Sequence, residues 1–178
     1  MKKLRKQEGY NLIELVLVMA VLSVIFVYSL GFFREGSIAA RGYEFGTQIT
    51  DLKSRIARYY TYRASYAAPP LNNALVIAQR LHPPQMLRGA VLGSVITTNF
   101  VVDQINAGTQ MRIQFTVLRD YCTEIFSYIE SQFEAITVTS SAGGARAIKT
   151  AAAPAPDLLA LAAECAEAGS ANYLLLSR

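Results

Sequence analysis

Histidine occurs once and cysteine twice in the 178 residues. A single imidazole, His82, cannot build a multi-histidine metal site, and two thiols, Cys122 and Cys165, do not make a zinc cage, so neither a metal ligand set nor a cofactor is expected. No G-x-x-x-x-G-K-[ST] phosphate loop occurs, and Gly143-Gly144 reads as a turn rather than a nucleotide cradle. His82 stands beside Pro83-Pro84 and reads as a loop residue. Asp120, Glu124, Glu130 and Glu134 mostly decorate one predicted helix, as solvated charges do. No nucleophile, base and orienter form a set, so no catalytic residue is named and the chain is not read as an enzyme. Excess positive charge is also scarce beyond the N-terminus. Of the formal net charge of +4, Lys2, Lys3, Arg5 and Lys6 against Glu8 supply +3, leaving +1 for the rest. That balance gives no reason to expect a nucleic-acid partner.

What the chain does have is one long apolar run. Residues 9–33 read GYNLIELVLVMAVLSVIFVYSLGFF, and the nineteen from Leu15 to Phe33 carry no charge. At a rise of about 1.5 Å per residue these nineteen cover roughly 28 Å, enough to cross a bilayer. The basic segment MKKLRKQEG before it is expected to stay on the cytoplasmic side. A secretory signal would place a small-residue cleavage site after a shorter apolar region, whereas here Gly9 stands before the run and no A-x-A-like site closes it. Glu14 lies within the first turns of this helix, where an unpaired ionised side chain costs on the order of 2.5 kcal/mol or more in hydrocarbon.

A basic leader, Gly9, then Tyr10-Asn11-Leu12-Ile13-Glu14-Leu15 and a long apolar helix resembles the class III signal of type IV prepilins and pseudopilins. The resemblance implies cleavage by a membrane prepilin peptidase between Gly9 and Tyr10 and N-methylation of Tyr10. It gives Glu14 the assembly role, a contact with a neighbouring subunit's N-terminus. Tyr10 departs from the family, whose first mature residue is more often phenylalanine, methionine or leucine. The motif covers about the first 25 residues. The implied partners are further copies of the chain in a helical filament, the peptidase, the inner-membrane assembly machinery and, before assembly, the membrane itself.

Beyond Phe33 the composition becomes mixed but the helical period persists. Ile38, Gly42, Phe45, Ile49, Leu52, Ile56 and Tyr59 recur at spacings of four and three, predicting an amphipathic continuation to about Tyr62 that packs on a sheet. A separate coiled-coil stalk is the alternative, with only about three heptads to build it. Gly31, Gly36, Gly42 and Gly46 interrupt the helix; residues 31–36 are either a conformational hinge or a place of close helix packing.

The remaining residues, 63–178, suffice for one modest head domain. Within it the sequence predicts a short helix over 73–81 between two loops, strands over 89–102 and 110–118 joined by a turn at Asn106-Ala107-Gly108, and a helix capped by Asp120. A third strand follows over 135–139, then a glycine turn with a fourth, a helix over 157–167 ended by Gly169, and a buried final strand over 172–177. The fold class expected is α+β: a long N-terminal helix, apolar half exposed and amphipathic half packed, on an antiparallel sheet, as in pilins.

A head in an oxidising periplasm is expected to bridge Cys122 and Cys165, closing a loop worth about 4 kcal/mol by chain entropy. A disulfide bounding a late surface region resembles the pilin D-region, and its size is most like type IVb. The resemblance therefore implies an inner-membrane precursor in a Gram-negative-type bacterium and then an extracellular pilus (fimbrium) serving adhesion, aggregation or conjugative contact. A minor pilin or secretion-system pseudopilin, and a membrane-anchored periplasmic enzyme or binding domain, stay open as alternatives.

Overall fold

The computed structural model describes residues 12–140, 145–167 and 169–177. The chain forms one long helix, α1 (Leu12–Tyr60), followed by a mixed domain, and divides into two compact units at residues 37 and 38. In the first unit the large apolar side chains of α1 from Leu12 to Phe33 are exposed.

In the second unit α1 lays Phe45, Ile49, Leu52, Ile56 and Tyr60 into the core. These follow the predicted stripe, except that Tyr60 rather than Tyr59 completes it. The helix ends at Tyr60, two residues before the expected limit. After it come α2 (Asn73–Ala78), the short pair β1 (Leu87–Arg88) and β2 (Val91–Leu92), β3 (Thr97–Ile105), β4 (Gln110–Leu118), α3 (Arg119–Ile129), β5 (Ala135–Ser140), β6 (Arg146–Lys149), α4 (Leu158–Glu167) and β7 (Ser170–Ser177).

The main sheet is antiparallel throughout, in the order β3-β4-β7-β5-β6. The last strand in sequence therefore lies in the middle, its Tyr173 opposite Phe115 on one side and Val138 on the other. Strict alternation of burial along β4 and β7 places Met111, Ile113, Phe115 and Val117 beside Ala171, Tyr173 and Leu175 in the core. Phe100, Phe115 and Tyr173 stack in succession, at 5.9 and 5.3 Å between ring centroids, and Phe45 of α1 meets Phe115 edge-on at 5.1 Å. This is the α+β arrangement that the sequence predicts.

Three local expectations differ. The apolar stretch 89–102 is not one strand: β2 stops at Leu92 and β3 begins at Thr97, because the Ser94 N–H is taken by Thr97 Oγ1 (2.9 Å) in an intervening turn. Asp120 is not the helix cap. Leu118 occupies that position without a side-chain bond while still paired with Ser170, so β4 runs directly into α3 and Asp120 falls within the first turn. The short helix stops at Ala78, with Leu81 folded back under it.

The hairpin turn joining β3 to β4 holds Asn106, Ala107 and Gly108 all at positive φ. A Cβ at Gly108 would sit 2.7 Å from the backbone nitrogen of Ala67, so this position needs glycine for space as well as conformation.

Candidate functional site

Two regions carry the sequence-derived functional residues. In the first, α1 is long and apolar enough to cross a membrane by length and composition. Glu14 is exposed in its first described turn. The two serines of the apolar run satisfy themselves within the helix, Ser23 Oγ donating to the Ala20 carbonyl at 2.7 Å and Ser29 Oγ to that of Ile25 at 2.8 Å. They therefore present no hydroxyl proton that needs a partner from outside. Gly9 and Tyr10 lie outside the described residues.

Of the helix glycines, Gly42 and Gly46 are buried against α3. A Cβ on Gly42 would stand 3.1 Å from Glu124 Cβ, and one on Gly46 only 2.6 Å from Tyr128 Cβ. Gly31 and Gly36 are helical and have nothing within 4 Å of such a Cβ. Close packing through small residues thus occurs at the second glycine pair.

The second region is bounded by Cys122 on α3 and Cys165 on α4, which stand at disulfide distance with Cα atoms 5.7 Å apart. Both are buried. The Tyr173 hydroxyl donates to the Cys122 carbonyl and lies 3.7 Å from its sulfur. Burial pushes the Tyr173 phenol well above its ordinary range. The cysteine bond is therefore anchored from below by the central strand.

Sequence reasoning missed Glu164. This carboxylate is only 5% exposed, yet it is fully engaged: Oε2 accepts the Ser140 N–H at 3.0 Å and Oε1 pairs with Arg146 Nε at 3.2 Å. One side chain ties α4 to β5 and β6. A signal was present, because the helical period that buries Leu161 and Cys165 also buries Glu164, and a buried acid requires partners. Lys53 plays a similar joining role, donating Nζ to the Gln132 carbonyl and lying 4.9 Å over the Phe133 ring. Its ammonium pKa is lowered, mainly by burial.

His82 is buried beside the prolines, its Nδ1 3.0 Å from the Pro83 carbonyl. Among the described residues no group of three or more His, Cys, Asp or Glu side chains could hold a metal ion. No protein-family model matches the chain, and no curated protein is significantly similar to it.

Proposed function

We propose that the protein is the precursor of a type IV filament subunit, most like type IVb, which is cut after Gly9 and polymerises through its N-terminal helix. It acts by assembly rather than turnover. The observation that carries this reading is the helix itself: an exposed apolar surface from Leu12 to Phe33 interrupted by one carboxylate, Glu14, five residues after a glycine that ends a basic leader.

In the membrane the apolar surface faces lipid; in a filament the same surface packs against other copies. Cleavage at Gly9 removes the leader cations and frees an α-amino group on Tyr10 whose pKa of about 8 keeps it mostly protonated at neutral pH. Glu14 of one subunit then finds a cation at matching depth in a neighbour, and removal of either partner of such a buried pair costs about 3–5 kcal/mol. Glu14 thereby sets axial register. Gly31 and Gly36, both helical and with nothing within 4 Å of an added Cβ, bound the segment available to melt as the subunit leaves the bilayer. The cysteine-bounded region, with Glu164 and Cys122–Cys165 holding its elements, forms the outer surface through which the filament makes contacts.

The test is Glu14→Ala expressed beside the wild type, with sheared filaments quantified. Loss of filaments with the precursor still in the membrane is expected; unchanged yield and subunit order would refute the assigned role. A wild-type chain abundant in the sheared fraction is a major subunit, and a scarce one a minor pilin or pseudopilin.

A further inference from the structure

We infer that the head carries a binding site for a small oxyanion, such as phosphate, sulfate or carboxylate, in the hollow between α1, the end of α2 and the segment leading to β1. The hollow has a volume of about 550 Å³ and is lined by Arg55, Ile77, Arg80, His82, Pro84 and Leu87. That volume lies within the range of small-ligand sites. Three nitrogen-bearing side chains and no acid line it.

The strongest observation is Arg80. Helix α2 ends in a Schellman-type turn: the Leu81 N–H reaches the Val76 carbonyl at 2.9 Å and the Arg80 N–H that of Ile77 at 3.1 Å. The residue after the cap takes a left-handed conformation, a place usually filled by glycine; here it is Arg80, at φ 51°. A long cationic side chain is thus held on strained backbone where glycine would relieve the strain. Among the described residues Arg80 makes no salt bridge.

Of the other two nitrogen-bearing groups, Arg55 is partly committed in a way that leaves it available. Arg55 engages Asp51 through Nε at 2.9 Å, which orients the guanidinium and leaves its terminal nitrogens for a ligand. His82 is 8% exposed and gives its Nδ1–H to the Pro83 carbonyl, so its Nε2 would donate to an oxyanion only in the imidazolium form, and the site rests on the two guanidiniums. Two guanidiniums match the acceptor oxygens of a tetrahedral or planar oxyanion, while Ile77, Pro84 and Leu87 supply an apolar wall for the body that carries it.

The strained backbone makes the proposal separable from folding. The full chain in neutral detergent is titrated with inorganic phosphate, probing a free oxyanion, and with a heparin oligosaccharide, probing oxyanions carried on a surface polymer. Saturable binding of either probe is expected, weakened roughly tenfold or more by Arg80→Gly, because a hydrogen bond to a charged group is lost. Since Arg80→Gly relieves a positive φ, its melting temperature should equal or exceed that of the wild type. Arg41→Gln removes the same charge elsewhere on α1 and should leave binding unchanged. Binding of neither probe, binding that survives Arg80→Gly, or an equal loss in Arg41→Gln would overturn the site.

Discussion

Gly46→Ala tests how the long helix is seated. The added Cβ would stand 2.6 Å from Tyr128 Cβ and 3.3 Å from Tyr128 Cγ, against an optimum of about 3.5–4.0 Å between carbons. Tyr128 cannot simply swing aside, because its Cβ is fixed to α3 and its ring meets Tyr43 edge-on at 5.3 Å. The helices must therefore separate by roughly 1 Å. Overpacking of this kind costs about 1–3 kcal/mol, and the alanine returns up to about 1 kcal/mol of helix propensity. The net expectation is a loss of about 1–2 kcal/mol, or roughly 3–8 °C in Tm. Gly42→Ala, whose Cβ would stand 3.1 Å from Glu124 Cβ, should come out near neutral, since the two terms are then of similar size. Gly36→Ala meets nothing within 4 Å and should raise helicity without lowering the midpoint. The assay is thermal and urea unfolding of the full chain in neutral detergent, followed by circular dichroism. A Gly46→Ala protein as stable as Gly36→Ala would refute the packing of α1 on α3.

Replacing both Cys122 and Cys165 by alanine should lower stability by about 4 kcal/mol through the chain freed in the unfolded state, measured by urea unfolding with and without reductant. Glu164→Ala should cost about 1–3 kcal/mol by orphaning the Ser140 N–H, and Glu164→Gln less, because the amide oxygen still accepts that bond; thermal melts of the two variants decide it. The buried Tyr173 phenol titrates above its ordinary value of 10.0, and Tyr60 and Tyr66 shift in the same direction by burial. The unfolded chain loses these protons first, so their contribution to stability is intact below pH 10 and declines as pH rises beyond it. Alkaline melts should show that decline, with the tyrosinate absorbance of buried rings appearing together with unfolding, and Tyr173→Phe should flatten the curve.

The helix and most strands were legible because each is written in a local period. The stripe from Phe45 to Ile56 and the alternation of Met111, Ile113, Phe115 and Val117 need no partner to be recognised. The break at Gly93-Ser94 was hidden because β-branched residues flank it on both sides, and only the Ser94 bond to Thr97 Oγ1 shows where the strand begins. Asp120 carries the chemistry of a cap, but strand pairing between Leu118 and Ser170 holds the chain extended up to the helix and moves the cap position two residues earlier. Strand order was beyond local reading, since the place of β7 between β4 and β5 depends on contacts across the chain. Gly42 and Gly46 were visible as small residues, yet what presses on them, Glu124 and Tyr128, lies far along the sequence. Glu164 shows the same limit in electrostatic form: the period places it inside, and only the fold supplies Ser140 and Arg146.

The proposed sequence of events is maturation at Gly9 followed by assembly through the helix it frees. Its most direct test is the intact mass and N-terminal peptide of the protein produced with and without a prepilin peptidase. An unprocessed chain is expected in the absence of the enzyme and, in its presence, loss of residues 1–9 with a methylated Tyr10. A chain still running from Met1 to Arg178 beside an active peptidase would contradict it and leave α1 as the uncleaved anchor of a periplasmic domain.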